Sequence, residues 1–124
     1  MMKPEHYGLK LLGSFIIPGK CRSKSNFKPR GRYYPDPKLT AFHATVTFLA
    51  KASLGVKKSY KMGWVIIQIH SKSQVHIDLS NSPKSILDCL VNAQVFTDDK
   101  DVAVTVPFAE IGKEDKTEVF VYVK

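Results

Sequence analysis

The stretch Trp64-Val-Ile-Ile-Gln-Ile-His70, with Asp78-Leu-Ser-Asn-Ser-Pro-Lys84-Ser-Ile-Leu-Asp88-Cys-Leu90 close behind it, decides the fold class. The first part is rich in β-branched residues, which suit a pleated surface, and reads as a strand. Because Val65, Ile66 and Ile67 are consecutive, that strand is expected to be covered on both faces. In the second part the apolar period changes. A helix is expected to start near Ser80 to Ser82, to tolerate Pro83 in its first turn, and to continue through Ile86, Leu87, Leu90 and Ala93. Between the two, Val75 to Asp78 extends or re-enters the sheet.

The pattern continues in both directions. Upstream, Asp36 suits a helix cap and Pro37 the first helical position, where a missing N–H costs nothing. Leu39, Phe42, Val46 and Leu49 then recur at spacings of three and four, and Gly55 supplies a stop. A strand over Phe15 to Pro18 precedes this helix. Downstream, Val102, Val104, Val106 and Phe108 alternate with smaller or polar residues, as do Val119, Val121 and Val123 with aromatic ones; a charged loop containing Gly112 separates these two strands. The order β, α, β, (β), α, β, β predicts an α+β fold, a small mixed sheet with two packed helices. At 124 residues the chain is expected to be a single domain, 1–124, large enough for a core without disulfides or structural metal.

Charge divides the chain. Residues 1–62 carry 13 Lys or Arg against two acids, Glu5 and Asp36, while residues 63–124 carry six against nine, so a basic half precedes an acidic one within a net charge of +8. The basic loop 20–38 holds seven Lys or Arg with Phe27, Tyr33 and Tyr34 between them. It has too few apolar residues to be core. Such a mixture suits nucleic acid, because cations neutralise phosphates and aromatic faces stack on exposed bases; the alternative is a solvated loop whose tyrosines anchor the following helix. The candidate DNA-binding residues are Lys20, Lys24, Lys28, Arg30 and Arg32.

Other classes are disfavoured. Cys21 and Cys89 have no CxxC partner or nearby histidine pair, which argues against a disulfide framework or zinc finger and for a reducing compartment, and Cys89 reads as a small apolar side chain on the second helix. The longest apolar run, Trp64 to Ile67, falls far short of the roughly 20 residues of a membrane helix. No GxGxxG, Walker A, GxSxG or HExxH pattern occurs. His6, His43, His70 and His76 have no ligand spacing, although an extended segment would turn His76 to the same side as Asp78.

The acidic half carries the chemistry. The run Asp78-Leu79-Ser80-Asn81, then Lys84, Asp88-Cys-Leu90 and, ten residues on, Asp98-Asp99 resembles the RusA family of Holliday-junction endonucleases, small phage and bacterial enzymes that resolve four-way DNA junctions. The family motif reads approximately Asp-Leu-Asp-Asn-x-x-Lys, Asp-x-Leu and Asp-Asp, and this chain follows it without a gap. Ile17-Pro-Gly-Lys20, Lys24, Arg30 and the segment from Arg32 to Lys38 look like the family's first strand, basic loop and helix start. The resemblance covers about residues 15–124.

It implies a cytoplasmic, bacterial or phage-encoded homodimer acting in DNA recombination and repair. It also implies Mg²⁺-dependent hydrolysis of phosphodiesters at symmetric positions, with Mn²⁺ as a substitute. Asp78, Lys84 and Asp99 would be catalytic, in an acidic metal site spanning 78–99 whose candidate ligands are Asp78, Ser80, Asp98 and Asp99. The chemistry is consistent: phosphodiester hydrolysis needs a cation to activate water and offset transition-state charge, and Mg²⁺ prefers carboxylate oxygens. Lys84 would stabilise charge on the phosphate, and Asp88, one turn away, either joins the site or pairs with Lys84.

The departure is Ser80, which stands where the family has its second aspartate. A hydroxyl is a weak Mg²⁺ ligand, so the expectation divides three ways: a weakened enzyme, a site rescued by Asp98 or Asp88, or an introduced inactivating change. As a helix cap Ser80 is favourable. The rival reading is a non-catalytic protein that binds branched DNA and keeps the fold.

Overall fold

The computed structural model describes residues 4–19, 37–55, 58–72, 82–107 and 110–124. The basic positions Lys20, Lys24, Lys28, Arg30 and Arg32, the expected cap Asp36, and Asp78 and Ser80 of the motif lie outside the described residues.

After a 3₁₀ turn at Pro4–Tyr7 come β1 (Lys10–Pro18), α1 (Pro37–Leu54), β2 (Gly63–Ser71), α2 (Ser82–Asn92), β3 (Val102–Thr105), β4 (Glu110–Ile111) and β5 (Lys116–Val123). The sheet runs β1-β5-β2-β3, with β4 also paired to β2. β5 is antiparallel to both β1 and β2, whereas β3 and β4 run parallel to β2, so the sheet is mixed as the sequence predicts. The parallel β2–β3 pair requires a crossover, and α2 supplies it.

The residues explain the element limits. Pro37 opens α1, and Gly55 ends it in the left-handed region at φ +56, a conformation that costs a side chain but not glycine. The expected alternating run reaches from Val102 to Phe108; the ladder of β3 ends at Thr105, Val106 and Pro107 stand outside it, Phe108 lies outside the described residues, and β4 pairs with β2 from Glu110. Pro107, with no N–H to donate, sits in the interruption. β4 is therefore an element the sequence reading took for loop. β1, in turn, starts five residues earlier than expected. Its register with β5 shifts between Leu11 and Gly13, leaving Leu12 as an extra residue.

Both helices lie on one face of the sheet. Phe15 and Ile17 of β1, Val65, Ile67 and Ile69 of β2, and Val119, Val121 and Val123 of β5 pack there against Phe42, Val46, Ala50 and Leu54 of α1 and Ile86, Cys89 and Leu90 of α2. Each such burial contributes roughly 1.5–3 kcal/mol for a large aliphatic or aromatic side chain. The expectation that β2 is covered on both faces is corrected: its burial alternates, and Trp64, Ile66, Gln68 and His70 on the other side are only half-buried. Among the described residues no helix crosses that side. Instead the Tyr7 ring lies 5.8 Å from that of Trp64, the Trp64 Nε1 donates to Thr105 Oγ1 at 2.7 Å, and His70 meets Glu118 at 2.9 Å and Glu110 at 3.3 Å.

Candidate functional site

The seam between α1 and α2 opens into a cleft of about 420 Å³ lined by His43, Asp88, Val91, Asn92, Asp98 and Asp99. Three elements build it. On α2, Lys84, Asp88 and Asn92 recur every fourth residue and form one stripe beside the buried stripe of Ile86, Cys89 and Leu90. On α1, His43 follows the core residue Phe42 and so stands at the margin of the packed face. Beyond α2, Gln94 takes φ 63 and lets the chain turn back, after which Val95 and Phe96 are buried and Asp98 and Asp99 are exposed.

Local hydrogen bonds fix the geometry. The Asp98 Oδ1 accepts the Lys100 N–H at 2.7 Å, so one of its oxygens holds the turn. Behind the cleft, the Cys89 thiol donates to the His43 carbonyl at 3.6 Å and joins the two helices. Burial pushes this thiol up to about 11, with Asp88 adding to the effect and a hydrogen bond with Thr47 opposing it. Cys89 is thus a neutral packing residue, as expected from the sequence.

Of the expected site residues, the cleft brings Asp88, Asp98 and Asp99 together, with Lys84 exposed one turn from Asp88. Its carboxylate oxygens and single imidazole suit a hard divalent cation. Yet among the described residues no group of three His, Cys, Asp or Glu side chains is arranged to hold a metal ion. Asp88, Asp98 and Asp99 are the carboxylates here with the chemistry to contribute to one, one Asp98 oxygen also holding the turn.

A family model, Endodeoxyribonuclease RusA, matches residues 18–122. The chain belongs to the RusA endodeoxyribonuclease family. The match spans β1's last residue to the penultimate residues of β5 and so includes every element that lines the cleft. No curated protein matches the chain. RusA nucleases act in Holliday-junction resolution and are generally dependent on a divalent metal. Among the described residues, no helix is long and apolar enough to cross a membrane.

The sequence reading missed His43, Asn92 and Val91 as parts of the cleft. For Asn92 the signal was present, since it continues the fourfold spacing from Lys84 and Asp88. His43 had none.

Proposed function

We propose that this RusA-family chain binds four-way DNA junctions as a homodimer and hydrolyses their phosphodiesters with Mg²⁺, at a rate held down by Ser80. The observation that carries the reading is the convergence of Asp88, Asp98 and Asp99 on one cleft beside the Lys84 stripe of α2, in a chain whose family is a nuclease family. Asp78 and Asp99 serve as the main ligands, Asp88 lies within the same cleft, and Asp98 shapes the turn. A bound divalent cation supplies charge to offset the transition state and to activate the attacking water. Lys84 neutralises a non-bridging phosphate oxygen, and the basic residues Lys20, Lys24, Lys28, Arg30 and Arg32 hold flanking phosphates. A twofold dimer sets one cleft against each of two opposed strands.

Ser80 supports a second reading, a junction-binding protein without cleavage. A nicking assay on a synthetic four-way junction separates the two. With Mg²⁺ the chain is expected to cut slowly, and Ser80→Asp to cut faster by two or more orders of magnitude while binding the junction equally in metal-free buffer. Failure of Ser80→Asp to cut in either Mg²⁺ or Mn²⁺ would establish the non-catalytic reading.

A further inference from the structure

The cleft does not end at the carboxylates. It continues along α1 into an open groove of about 450 Å³ lined by His43, Ala44, Thr47, Phe48, Lys51 and Asn92, so that His43 and Asn92 stand in the walls of both. Ala44, Thr47, Phe48 and Lys51 recur at three and four and form one stripe of the helix. Phe48 is 69% exposed, the most exposed of the large apolar side chains among the described residues. The two compartments differ in charge: three carboxylates line the cleft, whereas the groove has none and contains Lys51. At their junction the His43 Nε2 is buried and has no hydrogen-bond partner among the described residues.

We infer that the groove binds an unpaired nucleotide of branched DNA, next to the phosphate held in the carboxylate cleft, with its base stacked on Phe48. The inference rests on the reading of the chain as a branched-DNA-binding protein. An aromatic face open to solvent accepts any base, because every base has a π-face. Lys51, one turn from Phe48, can neutralise the nucleotide's own phosphate, and the exposed Asn92 offers hydrogen bonds to its base edge or sugar. The volume is of the order of a small-ligand site, enough for one nucleotide. A base within a continuous duplex hides both faces in the stack, and extruding it is costly; a base at a crossover is stacked more weakly and leaves its neighbours at lower cost. The groove therefore favours branched over linear DNA without reading sequence.

The test uses the full chain in metal-free buffer with a four-way junction carrying 2-aminopurine at the crossover and a linear duplex of the same sequence. The wild-type chain should bind the junction more tightly than the duplex and raise the 2-aminopurine fluorescence as the base leaves its neighbours. Phe48→Ala and Phe48→Leu should each weaken junction binding by about tenfold, the lower part of the range for one base stacked on an aromatic ring, and abolish the fluorescence change. Duplex affinity should be unaffected, and Phe48→Trp should preserve both signals. Because Phe48 is exposed, the thermal melts of all three variants should match the wild type.

Junction binding unchanged in Phe48→Ala and Phe48→Leu would overturn the inference, as would equal weakening on duplex and junction. A change of molar mass in Phe48→Ala would overturn it in favour of a second copy covering the ring. Wild-type binding with no preference for the junction would instead sink the branched-DNA reading on which the inference rests.

Discussion

Gly63, at the start of β2, occupies a position with no room for a side chain. A Cβ there would run into the Phe96 ring and come within 2.6 Å of the Tyr122 carbonyl oxygen, neither of which is a flexible chain end. Gly63→Ala is expected to destabilise the fold by about 2–3 kcal/mol, read from the urea midpoint, as overpacking of a tight core does. Thr117 is the opposite case. It is fully buried on the helix-covered face, flanked across the strands by Ile17 and Ile69, and its hydroxyl has no hydrogen-bond partner among the described residues. Thr117→Val removes an unpaired polar atom at little change of shape and should stabilise by about 1 kcal/mol in the same measurement. At Cys89 the raised titration point has a kinetic consequence. The reactive thiolate is scarce at neutral pH, so in a Cys21→Ser background a thiol-specific disulfide reagent should label Cys89 only as fast as the protein opens. Rapid labelling of the native protein would contradict the burial described for it.

Among the elements, α2 does two jobs: it closes the parallel crossover, and its outward stripe carries Asp88 and Asn92 to the cleft with Lys84 exposed one turn before them. The turn that follows assigns different roles to two adjacent aspartates. Asp98→Asn keeps the oxygen that accepts from Lys100 N–H, so in the Ser80→Asp background it should leave metal-dependent cleavage within a few-fold; Asp99→Asn should reduce it about a hundredfold or more. Equal losses would make Asp98 a ligand as well. The helices were legible from sequence because proline, glycine and apolar spacing agreed on the same limits. Pro107 misled the reading of β3, since Val106 preserves an alternation that the described backbone leaves after Thr105. Coverage of β2 was overstated for a related reason: three successive branched residues look like a doubly buried strand, but only every second one faces the helices. Spacing and motif singled out Asp88, Asp98 and Asp99, which line one cleft, while Asp78 and Ser80 lie outside the described residues. His43 and Phe48 were not, because a stripe one residue away from a core stripe reads as ordinary solvated helix until a second element is seen beside it.

At the scale of the whole molecule, the division into a basic and an acidic half predicts a division of labour between holding DNA and cutting it. If the five basic loop residues contact phosphates, the slope of log K against log salt should fall by about 0.9 for each contact removed, so Lys24→Ala with Arg30→Ala should flatten it by roughly two. Cleavage-deficient Asp99→Asn should leave that slope unchanged. Light scattering at micromolar concentration should give twice the chain mass, and a monomer mass would remove the dimer from the proposal. β1, finally, borders the sheet with nine residues and, among the described residues, pairs only with β5. A border of that length is a ready template for fibril growth unless something interrupts it, and Lys10, Pro18 and the extra residue Leu12 do so by charge, by a missing donor and by added twist. Deleting Leu12 would straighten the border, leaving Leu11 and Gly13 opposite Tyr122 and Val121 in an unbroken ladder, and would trade a harmless irregularity for a chain that copies of itself can extend without end.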